Sequence, residues 1–164
     1  MTTRSTDPFA DAVTAFVSLA WLGALLGVSF LATPVKFQAP SLDLAVALDV
    51  GRVTFAAFSK VEWGMATLLG IAVFFPRAPR AEIALSVAAM LVVAVQALWL
   101  LPVLDARVEA IIAGQSLPAS MHHMLYAVLE AAKALTLVAV ALVALSRLGW
   151  RDRPQTVAEV AECD

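Results

Sequence analysis

AVTAFVSLAWLGALLGVSFL, residues 12–31, carries no charged side chain over a length that matches the hydrocarbon core of a bilayer. A helix rises 1.5 Å per residue, so roughly 20 apolar residues cross that core. Three further stretches of similar character follow, at residues 53–75, 83–104 and 124–148. The second is interrupted by Lys60 and Glu62, the third by Gln96, and the fourth by Glu130 and Lys133.

Composition agrees with these four stretches. Of 164 residues, 62% are hydrophobic and 15% charged, whereas soluble domains run near 45–50% apolar and about 25% charged. Mean hydropathy is +0.88. A soluble globule this small cannot bury such an excess of apolar residues, and a disordered chain does not carry it. The expected fold is all-α, an integral membrane four-helix bundle running up-down-up-down. Residues 1–11 and 149–164 form its tails. The first apolar run is longer than a signal-peptide core and is read as a retained span.

The punctuation fits the same plan. Pro34 and Pro40 are expected to break the chain after the first span. Pro76 and Pro79 bracket a tight link that makes the second and third spans antiparallel neighbours. Gly114 and Pro118 interrupt the third link, and Ser120 stands where an N-cap for the last span is expected.

Arg4, Arg77, Arg80, Arg147, Arg151 and Arg153 fall on the side of the termini. Lys36, Arg52, Lys60, Arg107 and Lys133 fall on the other side. The first set occupies tails and short links beside span ends, where basic residues set orientation. Both termini are therefore expected in the cytoplasm of a bacterial inner (plasma) membrane. Segments 38–52 and 105–121 then face outward.

The net charge of −2 and the lack of a basic cluster exclude nucleic acid as a partner. The single cysteine, Cys163, forms no intrachain disulfide and reads as a tail residue. Trp21, Trp63, Trp99 and Trp150 read as interface anchors or bundle packing. Gly23 and Gly27 form a small-xxx-small pair, whose expected use is close helix packing or, alternatively, a homodimer contact.

Six charged residues fall within or beside the spans: Asp49, Arg52, Lys60, Glu62, Glu130 and Lys133. A charge near the bilayer centre costs roughly 2.5–3.5 kcal/mol on insertion scales, so such groups face the bundle interior and pair. Glu62 lies roughly 20 Å from one end of its span and Lys133 roughly 21 Å from the same end of its own. A Glu62–Lys133 or Lys60–Glu130 pair is therefore expected. His123, Tyr126, Glu130 and Lys133 repeat at helical spacing along one face of the fourth span, and His122 joins them at steps of four. Asp49 and Arg52, three apart, can pair locally.

These residues predict an outward-facing intramembrane polar pocket that binds or conducts a small solute, an ion or a proton. The plain alternative is an ion-pair network that fixes helix packing. No cofactor is expected. A metal- or haem-dependent oxidoreductase using His122 and His123 is a second alternative, although the Glu-x-x-His pairs of di-iron bundles are absent. A non-catalytic accessory subunit of a larger membrane complex is a third.

Phe30-Leu-Ala-Thr-Pro-Val-Lys-Phe37, followed by Val50-Gly-Arg-Val-Thr-Phe55, carries one likeness. Pro102-Val-Leu ending the third span and His122/His123 opening the fourth extend it. The pattern resembles an uncharacterised four-span membrane protein family that includes the human cisplatin-resistance-associated transmembrane protein. The resemblance implies the four-helix topology and no particular activity. Glu62 and the Tyr126/Glu130/Lys133 face lie outside the shared pattern.

Overall fold

The computed structural model describes residues 7–75 and 78–151, the last two by backbone only. The expectations for Arg4, Pro76, Arg77, Arg153 and Cys163, and for the side chains of Trp150 and Arg151, lie outside the described residues.

Four helices account for the fold: α1 (Pro8–Lys36), α2 (Leu44–Phe74), α3 (Arg80–Ile112) and α4 (His122–Arg151). Each helix packs on its neighbours in sequence, and α1 closes the ring against α4. The result is an antiparallel up-down-up-down bundle. Helices α1, α3 and α4 are long and apolar enough to cross a membrane, so the chain is a membrane protein. Helix α2 holds Asp49, Arg52, Lys60 and Glu62 and packs on α1 and α3.

Local signals start and stop these helices. The Asp7 carboxylate accepts from the Phe9 amide at 3.0 Å, with Pro8 in the first turn where its missing N–H is no loss. Ser120 Oγ accepts from the His122 amide at 3.2 Å and so caps α4. Gly114, at φ 80, closes α3 in the left-handed conformation that glycine tolerates.

The expectation that Pro34 breaks the chain is corrected. α1 continues through it to Lys36, because residues Leu26–Ala32 are wound as a π-helix just before it. The wider turn leaves room for the proline ring, and Thr33 Oγ1 donates to the Val28 carbonyl at 2.8 Å. Helix α3 repeats the device: Gln96–Leu100 is π-helical and Pro102 follows it. Both helices therefore run past the ends of the apolar stretches, and the third reaches Ile112 rather than residue 104.

The interior is built from Trp21, Leu25, Leu69, Val73, Ala89, Val93, Leu137 and Val140. Outside it, Phe16, Leu98 and Leu135 are each 73% exposed, as suits side chains that meet lipid. Lipid tails are as apolar as leucine, so burial alone does not choose the inner face of each helix. Close packing and interhelical polar contacts make that choice. Gly23 and Gly27 take no part in it: a Cβ on either would meet nothing within 4 Å.

Candidate functional site

Polar side chains from all four helices meet in the bundle interior. Lys133 on α4 donates to Glu62 Oε1 on α2, to Gln96 Oε1 on α3 at 2.8 Å and to Glu130 Oε1 at 3.1 Å. An ammonium has three donors, and three acceptors meet them. Trp21 on α1 adds an indole N–H to Glu62 Oε1 at 3.1 Å. Gln96 turns its amide NH₂ toward Glu130 Oε1 at 3.3 Å and the Tyr126 carbonyl at 3.4 Å. Lys133 is fully buried, and Glu62, Glu130 and Gln96 are at most 2% exposed.

Two carboxyl groups thus share one ammonium in a closed setting. Glu130 Oε2 takes no part in these bonds. The Tyr126 phenol is the polar group beside it.

Tyr126 connects this cluster to a cleft. The cleft, of about 100 Å³, opens near the end of the bundle formed by residues 37–43 and 113–121. All four helices line it, with Lys36, Arg52, Asp105, His123 and Tyr126 set among apolar walls that include Phe55 and Leu104. Phe55 packs edge-on against the Tyr126 ring, with centroids 5.4 Å apart. Gly51 lets α1 reach across: a Cβ there would collide with the Lys36 ammonium. Both π-helical stretches end beside this cleft, which takes Thr33 from one helix and Leu101 from the other.

The sequence-predicted residues are distributed as follows. Glu62, Glu130 and Lys133 form the sealed cluster, with Tyr126 at its edge. Arg52 and His123 line the cleft. Asp49 pairs with Arg52 at 2.8 Å on the surface, and Arg52 also bonds Glu109 of α3 at 2.6 Å. His122 Nδ1 lies 2.6 Å from Ser120 Oγ, and its ring packs edge-on to Trp99. Lys60 does not join the cluster, so the Lys60–Glu130 pair is not formed. Lys60 is exposed, two residues from Glu62 and hence on another face of α2. Its long stem lets it reach toward the interface. Among the described residues, no group of three His, Cys, Asp or Glu is arranged to hold a metal ion.

Sequence reasoning missed two members of the cluster and a separate ion-paired group. Gln96 and Trp21 complete the cluster, although the first had been noted only as a polar interruption and the second as packing. At the opposite end of the bundle, Arg147 bridges Asp11 of α1, at 3.0 Å, and Glu82 of α3. Both carboxylates are at most 2% exposed. Between the two clusters, the Thr14, Ser18 and Ser86 hydroxyls are buried without a hydrogen-bond partner among the described residues. The signal for the Arg147 group was available, since all three residues fall at the same end of their spans. Comparison with known protein families, with curated proteins and with solved structures finds no match.

Proposed function

We propose that the protein binds and passes protons at the Glu62–Lys133–Glu130 cluster, reached from the cleft through Tyr126. One observation carries this reading: two carboxyls share one ammonium in a sealed site, and Glu130 Oε2, which takes no bond from Lys133 or Gln96, has the Tyr126 hydroxyl beside it. Two carboxylates and one ammonium leave a net negative charge. An uncompensated ion in such surroundings costs several kcal/mol even after relaxation. A single proton on the pair removes that charge. Glu62 already receives Lys133 and Trp21, so the proton belongs on Glu130 Oε2. The Tyr126 hydroxyl can accept a proton from a hydronium ion in the cleft, which leaves as water, as it donates its own to Oε2, without becoming an ion. In this reading the termini lie in the cytoplasm of a bacterial inner membrane and the cleft opens outward. Basic residues such as Arg80 beside the terminal-side span ends support that orientation.

The test is proton flux into proteoliposomes carrying a pH-sensitive dye, paired with the infrared carbonyl band of a protonated carboxylic acid. Native protein is expected to show both, and Glu130→Gln neither. A native protein with no flux above empty vesicles and no such band sinks the proposal.

A second reading has its own support. Trp21, Glu62, Gln96 and Lys133 come one from each helix, so the cluster also fixes their relative depth and rotation. As a packing clamp alone, it would leave flux at the level of empty vesicles while Lys133 substitutions still destabilised the bundle.

A further inference from the structure

Lys36 is the side chain of the cleft with the least to do inside the protein. It is half-buried, its ammonium rests against the backbone of α2 at Gly51, and it stands 5.0 Å from the Phe37 ring centroid. Among the described residues no carboxylate forms an ion pair with it. Arg52, the other permanent cation of the cleft, is already held by Asp49 and Glu109 on the rim, and its charge acts on Asp105 as well. His123 adds ring nitrogens on the α4 side. The remaining walls are apolar, with Phe55, Leu104 and Tyr126 among them.

Such a cleft suits one chemical class of ligand. A cation without an ionic partner, partly removed from water, favours an anion. The apolar walls favour a hydrocarbon or aromatic body attached to it. Size sets a limit as well: an engineered apolar cavity of 150 Å³ accommodates benzene, and this cleft holds about 100 Å³ and is open on one side. We propose that the cleft binds a small anion with an apolar body, a monocarboxylate being the type, with its negative group on Lys36. The glycine at position 51 serves this site, because a side chain there would push the ammonium aside. The ligand site stands whether or not Glu130 takes up protons, since it rests on Lys36 and the cleft walls.

The same anion chemistry could come from a free carboxylate or from the headgroup phosphate of an anionic lipid. The experiment therefore has two arms. In the first, calorimetry on the detergent-purified protein compares benzoate with benzyl alcohol, which has a similar body and no charge. Benzoate is expected to bind at least tenfold tighter. Lys36→Gln is expected to abolish the preference, Lys36→Arg to keep most of it, and Gly51→Ala to weaken benzoate severalfold. Thermal melting confirms that each variant is folded. In the second arm, the protein is placed in nanodiscs with or without phosphatidylglycerol. Competition by phosphatidylglycerol identifies the lipid phosphate as the occupant in the membrane, and its absence identifies a free carboxylate. Equal binding of benzoate and benzyl alcohol overturns the proposal, as does a folded Lys36→Gln protein that retains the preference.

Discussion

Replacing Lys133 by methionine keeps the length of the side chain and removes its charge and all three of its donors. The native ammonium meets Glu62, Gln96 and Glu130 in a site sealed from water. Without it, two carboxyl groups are left buried together. Removing one partner of a buried ion pair costs about 3–5 kcal/mol. Ordinary interhelical hydrogen bonds in a membrane average only about 0.6 kcal/mol and reach about 1.7. The two magnitudes are far enough apart to decide the matter. Lys133→Met is expected to lower stability by about 3 kcal/mol or more, measured by unfolding titration of the protein in bicelles. The double variant Glu62→Gln/Lys133→Met is expected to recover part of this, because a neutral amide still accepts from Trp21. A single-variant loss below about 1 kcal/mol, within the range of ordinary membrane hydrogen bonds, would refute the picture of a dry, mutually dependent cluster.

Further outcomes follow from the same geometry. Glu130→Gln is expected to change stability by no more than about 1 kcal/mol, since it removes the excess carboxylate and leaves the Lys133–Glu62 pair; the same titration reads it. Arg147→Met is expected to cost about 3 kcal/mol, because it strips the charge partner from buried Asp11 and Glu82. Arg52→Ala, by contrast, breaks exposed pairs with Asp49 and Glu109 and is expected to cost about 1 kcal/mol or less, and less again in high salt. Gly23→Ala is expected to stabilise α1 by about 0.5–1 kcal/mol, since its added methyl meets no neighbour. A loss in that variant would point to a contact with a second copy of the chain.

The four helices were legible because a bilayer sets a length scale that apolar runs must match, and three of them are long and apolar enough to cross one. The Glu62–Lys133 pair was legible for a related reason: depth follows from counting residues at 1.5 Å each. Helix rotation was less legible. In a soluble protein the polar face marks the outside, but here the inner and outer faces are both apolar. Lys60 and Glu62 lie only two positions apart, and their charges alone did not say which one pointed inward. Trp21 was hidden by a similar ambiguity, as an indole serves equally at an interface, in packing or as a buried donor. Asp11, Glu82 and Arg147 looked like ordinary end charges. Their convergence depends on three helices ending at one level, which no single segment states. Pro34 misled because a proline usually stops a helix, whereas a preceding π-helical stretch lets it pass.

Those two π-helical stretches also divide the molecule genetically. A widened turn holds roughly one residue more than an α-helical path needs. Deleting a single residue within 26–32 or within 96–100 would let the helix rewind as α. Everything beyond the deletion would keep its facing, whereas the same loss from a regular α-helical turn would rotate everything beyond it by about 100°. In α1, Thr33 and Lys36 beyond the stretch would then stay in register with Trp21 and Asp11 before it. A one-codon loss in α1 thus tightens the turn beside the cleft while leaving the cleft residues and the ion-paired interior facing as before. The two stretches are therefore where these helices accommodate a one-residue change in chain length, with the buried cluster as the fixed reference.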